Sequence, residues 1–171
     1  MEFFEVVERR HSIRAFTSAV VEPEKLQAIL EAANRAPSAG NLQAYEIYEV
    51  TRKATLKALA DAALGQGFVA QVPVALVFCA HPGLSSRKYG RRGSSLYAIQ
   101  DGTIACAHAH LAATALGLAS VWVGAFNDDA VREAIGVGPD LVPIAILPIG
   151  YPAEESERTP RRSLAELLHR T

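Results

Sequence analysis

From Leu96 to Leu116 the chain runs as a helix that is apolar almost all round and rich in alanine, closed by Gly117. A helix with one apolar stripe needs one neighbour, whereas a helix without a polar face has to be enclosed. The segment is therefore expected at the centre of the fold, packed on every side or packed against its own copy in a dimer. Val74 to Ala80 is a continuous apolar run bounded by Pro73 and Pro82, which predicts a strand buried on both faces. Together they call for a layered domain with a covered sheet.

The remaining elements follow from periodicity and punctuation. Phe3, Phe4, Val6 and Val7 form an apolar stripe that predicts a helix over Phe3 to Arg9. Pro23 opens a second helix, in which Leu26, Ile29, Leu30 and Ala33 recur at helical spacing to Asn34. A strand is expected over Tyr45 to Val50. A third helix, capped by Thr51, carries Leu56, Leu59, Ala60 and Ala63 and ends at Gly65. His81 to Ser95 reads as a long polar loop with Arg87, Lys88, Arg91 and Arg92 and no acidic residue, either a disordered excursion or a mobile lid. A strand over Ser120 to Val123 precedes a short helix capped by Asn127 or Asp128 and running through Ile135. The strand Val142 to Ile149 carries Pro143 and Pro148, each of which removes a ladder donor, so an edge or irregular strand is expected there. Ser163 to His169 forms a closing helix. Helices and strands mix without strict alternation, which predicts an α+β fold with helices around a central sheet.

The 171 residues are half hydrophobic and one fifth charged, enough for one domain spanning 1–171 with a buried core. A net charge of −1 gives no overall field for nucleic acid or an anionic membrane. The apolar stretch from Thr103 to Phe126 is interrupted by His108, His110 and Gly117, and the start has no separate apolar region, so a soluble cytoplasmic protein is expected. Cys79 and Cys106 fit buried thiols better than a disulfide. His108 and His110, two apart on a helix, point to different faces and do not make a metal site. HExxH, paired CxxC, GxSxG and GxGxxG are all missing from the sequence.

Two polar segments stand out against this background. Arg9, Arg10, His11, Ser12, Ile13 and Arg14 gather cationic forks and a hydroxyl behind the first helix. Such groups match phosphate oxygens, although a solvated charge run at a helix end has the same composition. Pro37 to Gln43 consists mostly of turn formers and amide or hydroxyl side chains, suited to presenting hydrogen-bonding edges or to a plain connection.

RRHSIRAF at 9–16 and APSAGNLQ at 36–43 resemble the flavin-binding signatures of the nitroreductase family. The resemblance continues through YGRRGSSLYAIQD at 89–101, GLASVWVGAF at 117–126, LVPIAILPIGYPAE at 141–154 and RRSLAELLH at 161–169. It implies an FMN-dependent NAD(P)H oxidoreductase, a central, mostly antiparallel sheet flanked by helices, and a homodimer with FMN at the subunit interface. It assigns Arg10 and Ser12 to the phosphate and ribityl chain, with His11 in the same motif, Arg14 to one edge of the ring, and Arg161 to the phosphate. Arg158 or Arg162 would stand in for a further basic residue where this chain has Thr159 and Pro160. Pro37, Ser38, Ala39 and Asn41 would reach the flavin held by the other subunit, and Gln66 would read the pyrimidine edge. Gly124 and Ala125 would present backbone to flavin N5, with no catalytic side chain identified.

The implied reaction is ping-pong hydride transfer from transient NADH or NADPH, through tightly bound FMN, to a nitroaromatic, quinone or flavin acceptor. Alternatives are a reductive dehalogenase or flavin-consuming enzyme of the same superfamily, or a flavin-binding redox sensor without turnover.

Overall fold

A computed structural model describes residues 1–155 and 159–171. Its centre is a four-stranded sheet in the order β1-β2-β4-β3, formed by β1 (Tyr45–Val50), β2 (Val74–Ala80), β3 (Ala119–Ser120) and β4 (Val142–Gly150), with every pairing antiparallel. All seven residues of β2 are buried, as its unbroken apolar run requires. Leu76, Phe78, Leu147 and Ile149 face α2 (Pro23–Asn34) and α5 (Ala98–Ala115) on one side. On the other, Ala75, Val77 and Ile146 meet α3 (Lys53–Ala62) and α6 (Asp128–Ile135) through Leu56, Leu59 and Val131. The result is an antiparallel sheet between two helical layers, an α+β architecture. Among the described residues no helix is long and apolar enough to cross a membrane.

α1 (Phe3–Arg9), α2, β1 and β2 have the bounds their periodicity indicates. At α3 the boundary residue is Arg52 rather than Thr51, and no side chain caps it. Asn127 caps α6 by accepting from the Ala130 amide at 2.9 Å, and Gly136 closes it in the left-handed conformation at φ 72°.

The expected polar loop after β2 is instead helical. α4 (Pro82–Arg92) starts with proline in its first turn, breaks its helical geometry at Gly90 (φ 55°), and leads through a π turn over Gly93–Tyr97 into α5. Its polar sequence hides the helix because the element is held at points instead of along an apolar stripe. Ser85 is fully buried, Gly93 lies against the Ser85 carbonyl, and the Tyr89 and Tyr97 rings meet edge to face at 5.2 Å.

β4 is irregular, one of the two outcomes its prolines imply, and it lies inside the sheet instead of at an edge. Pro143 sits at a bulge opposite the Phe78/Cys79 step of β2. Ile146 exchanges both backbone bonds with Val123 on the far side from β2, at 3.0 Å each, and Pro148 shares its parity. Continued in register from Ser120↔Ile149, Val121 would face Pro148, which has no amide to give. That is why β3 is only two residues long, with a lone bridge at Val123 in place of a strand through it. The closing helix, α7, is likewise shorter than expected at Leu164–Leu167; a Ser163/Glu166 capping box starts it, and none of its residues is buried.

α5 is not enclosed within the chain. Ala98, Gly102, Ala105, Cys106, Ala109 and Ala113 are buried against the sheet and α2, while Ile99 stays 39% exposed and Leu111 half-buried. Ile99, Gln100 and Thr103 near its start and Ala115 at its end are the residues of α5 left exposed.

Candidate functional site

α1 delivers Arg10 at its C-terminal boundary, where the Arg10 amide donates to Val6 O at 2.9 Å. The chain then runs extended between two neighbours. Ile13 N donates to Ser120 O at 3.3 Å, Thr17 N to Tyr151 O at 2.9 Å, and Ala153 N to Ala15 O at 2.9 Å. Glu154 accepts from the Arg14 and Ala15 amides at 2.6 and 3.1 Å, so its carboxylate is turned to main chain. Gly150 permits this path, since a Cβ there would sit 3.2 Å from both Phe16 and Pro73.

These contacts open a cleft of about 390 Å³ lined by Arg10, His11, Ser12 and Arg14 from the first segment and by Glu154, Glu155, Thr159 and Arg161 from the last. Residues near the two ends of the sequence thus share one polar hollow. Arg10 is pushed below the usual arginine range, first by burial and then by the neighbouring Arg161 guanidinium. Among the described residues no carboxylate forms an ion pair with Arg10, Arg14 or Arg161. Like charges held together with no ion pair among the described residues favour an anion between them. Arg162 donates to Glu166 O of α7 at 3.2 Å, and Arg158 lies outside the described residues.

Pro37, Ser38 and Ala39 line a second hollow of about 470 Å³, together with Tyr97, Gln100, Asp101, Thr103 and Ile104. The loop's shape is set by left-handed residues at Gly40, Asn41 and Gln43 (φ 57°, 57° and 44°). Gln43 holds them: its amide nitrogen donates to the Asn41 side chain at 2.7 Å, and its backbone N–H to Ser38 Oγ at 3.0 Å. Asp101, 2% exposed on α5, accepts from Ala39 N at 2.8 Å and Ala44 N at 3.3 Å.

The two hollows are separate in one chain, and α5 sets their spacing. Asp101 clamps the Pro37–Asn41 loop, while His110 on the same helix accepts from Arg10 Nη1 at 3.0 Å. Nine residues of helix put these anchors about 14 Å apart. Gln66, Gly124 and Ala125 form a third group. Leu64 and Gly65 turn the chain at positive φ after α3, and Gln66 Nε2 then donates to Ala63 O at 2.9 Å and Ala125 O at 3.3 Å. Gly124 and Ala125 are exposed. From Ser120, beside the basic cleft, four extended residues at about 3.3 Å each lead some 13 Å to Gly124.

Sequence reasoning passed over Asp101, His110 and Glu154. The signal was present for the first two: each is a polar group in a helix otherwise apolar enough to be buried. His108 faces elsewhere, its Nδ1 lying 3.3 Å from Ala32 O on α2.

Residues 7–83 and 63–151 match the model of the nitroreductase family. The chain belongs to the nitroreductase family. A curated relative from Thermus thermophilus, named NADH dehydrogenase, is 32% identical over 187 aligned positions, covering 94% of this chain and 91% of its own length. One named FMN reductase, from Bacillus subtilis, is 34% identical over 164 residues, covering 88% of this chain and 66% of its own length. Among solved structures, a nitroreductase family protein from Clostridium novyi superposes with a TM-score of 0.82 at 30% identity, over 90% of this chain and 87% of that one. NfrA2 of Bacillus megaterium superposes at 0.89 with 28% identity, over 99% of this chain and 74% of its own.

Proposed function

We propose that this member of the nitroreductase family is an NAD(P)H-dependent flavin oxidoreductase that binds FMN, with the phosphate in the cleft of Arg10, Ser12 and Arg161. The observation that carries this reading is the convergence of Arg10 and Arg161 on one cleft with no described carboxylate pairing them. The donor set fits the group: each charge-assisted bond to a phosphate is worth roughly 1.5 to 3 kcal/mol, and two guanidinium forks with a hydroxyl suffice to hold a dianion. The names of the relatives, an FMN reductase and an oxygen-insensitive NADPH nitroreductase of Salmonella typhimurium among them, support the same chemistry.

Bound FMN would supply a ring that takes a hydride from NADH or NADPH and gives electrons to a nitroaromatic, quinone or flavin acceptor in alternating half-reactions. The chain's own residues position and tune that group. Arg14 favours negative charge at the ring edge. Gly124 and Ala125 offer exposed backbone at the end of the segment leading from the phosphate cleft, and Gln66 stands against them. Glycine at 124 allows main chain to come close where a side chain would intrude. Proton delivery falls to water, since no acidic side chain is assigned to the ring.

The Pro37–Asn41 loop, set apart from the basic cleft within one chain, serves the site of a second copy in a homodimer. The uncovered face of α5 and the exposed Phe3 and Phe4 of α1 supply apolar surface for such a pairing. Residues 1–171 act as one domain, in the cytoplasm where the reductant is held.

Anaerobic mixing of FMN-loaded protein with NADH and with NADPH, followed by a panel of acceptors, tests the reading. Bleaching of the flavin band and its recovery on adding acceptor are expected. A flavin that neither nicotinamide reduces would overturn it and leave a binding protein without turnover.

A further inference from the structure

His110 is 6% exposed, and both of its ring nitrogens are engaged by residues from other parts of the chain. Arg10 Nη1 lies 3.0 Å from Nε2, and Ser120 Oγ lies 2.7 Å from Nδ1. A guanidinium has donors only, so Nε2 must accept, and the ring proton sits on Nδ1 and is donated to Ser120. Ser120 also accepts from Ile13 N through its carbonyl and bridges Ser12. Ser120 therefore holds the main chain of the basic segment and also takes the proton of the ring that meets Arg10. Burial, and secondly the charge of Arg10, hold the His110 pKa down to about 4, which keeps the ring a neutral acceptor.

Neutrality is what distinguishes this partner. A carboxylate at the same place would orient Arg10 equally well but would neutralise it. An uncharged imidazole takes one of the five guanidinium donors and leaves the full positive charge, with the other donors, for the cleft. It also anchors Arg10 against the repulsion of Arg161.

We infer that His110 is a positioning residue for the anion site, a neutral acceptor that aims the Arg10 guanidinium into the cleft and thereby sets affinity for the phosphate end of the cofactor. This rests on the proposed placement of the FMN phosphate.

The test titrates FMN, and riboflavin, which lacks the phosphate, into apoprotein of the wild type, Arg10→Ala and three His110 variants. His110→Leu should weaken FMN by about tenfold, the scale of one lost charge-assisted contact, and leave riboflavin unchanged. His110→Gln can place an amide oxygen where Nε2 stands and should recover FMN affinity to within about threefold. His110→Asn reaches only the Nδ1 position facing Ser120 and should behave like leucine. Adding His110→Leu to Arg10→Ala should cost nothing further, because the two act through one contact. If Arg10→Ala weakens FMN while His110→Leu and His110→Asn do not, the role of His110 is refuted and the phosphate placement stands. Equal losses of FMN and riboflavin in the His110 variants would refute it too. If Arg10→Ala leaves FMN affinity unchanged, the phosphate placement fails and this inference with it. Should His110→Leu not fold, the contrast between glutamine and asparagine decides alone.

Discussion

Replacing Asp101 by asparagine asks whether α5 holds the Pro37–Asn41 loop in place. The carboxylate is 2% exposed, and its two oxygens accept separately from Ala39 N at 2.8 Å and Ala44 N at 3.3 Å. Asparagine keeps the shape but has one acceptor, so the shorter bond survives and the Ala44 amide is left facing an NH₂ group. Ala44 is fully buried, so water cannot replace the lost partner. An unsatisfied buried donor costs about 1–3 kcal/mol, which puts Asp101→Asn near 2 kcal/mol. Asp101→Ala loses both bonds but also relieves the desolvation of a buried charge, for a net cost of about 3 kcal/mol. In a chain of this length about 2 kcal/mol corresponds to a fall in Tm of roughly 4–8 °C. Urea denaturation with linear extrapolation reads the free energy, and hydrogen exchange over residues 37–44 reads the loop itself. An Asp101→Asn protein within about 0.5 kcal/mol of wild type, with the loop still protected, would refute the clamp.

Two further outcomes follow from the same geometry. His110 has a folded-state pKa of about 4 against 6.5 in its ordinary state, so the unfolded chain takes up the proton first as pH falls. Stability should drop through that window by up to about 1.4 kcal/mol per pH unit, roughly 3 kcal/mol in all, and His110→Gln should remove that share of the slope in urea titrations. A Cβ at Gly93 would sit 2.5 Å from the backbone oxygen of Ser85, which no rotamer change can relieve. Gly93→Ala should therefore cost about 1–3 kcal/mol in thermal or urea melts and loosen hydrogen exchange across residues 82–97.

The sheet and most helices were legible because their burial is written in composition. Val74–Ala80 has no polar residue to expose, and Leu26, Ile29, Leu30 and Ala33 can share a face only in a helix. α4 was not legible, since Ser85, Arg87, Lys88, Gly90 and Arg91 show no apolar period and the helix depends on a buried serine and a glycine contact formed only after folding. Pro143 and Pro148 signalled an edge or an irregular strand, and β4 is the second: a bulge absorbs one proline and the shortness of β3 absorbs the other, so the strand lies inside the sheet. At the candidate site, the arginines were visible as residue types, and their convergence from positions 10 and 161 had no trace in spacing. His110 and Asp101 were visible as polar intrusions in an apolar helix, but the loop amides that Asp101 holds and the Arg10 that His110 meets lie roughly 60 to 100 residues away, beyond any local pattern.

Calorimetric titration of FMN into the wild-type protein and into Arg10→Ala shows whether the cofactor's phosphate lies in the cleft of Arg10 and Arg161. The expected result is one FMN per chain, bound at least tenfold more weakly by the variant, as loss of a charge-assisted phosphate contact requires. A wild-type protein that takes up no FMN, or a variant that binds it with undiminished affinity, would contradict the account.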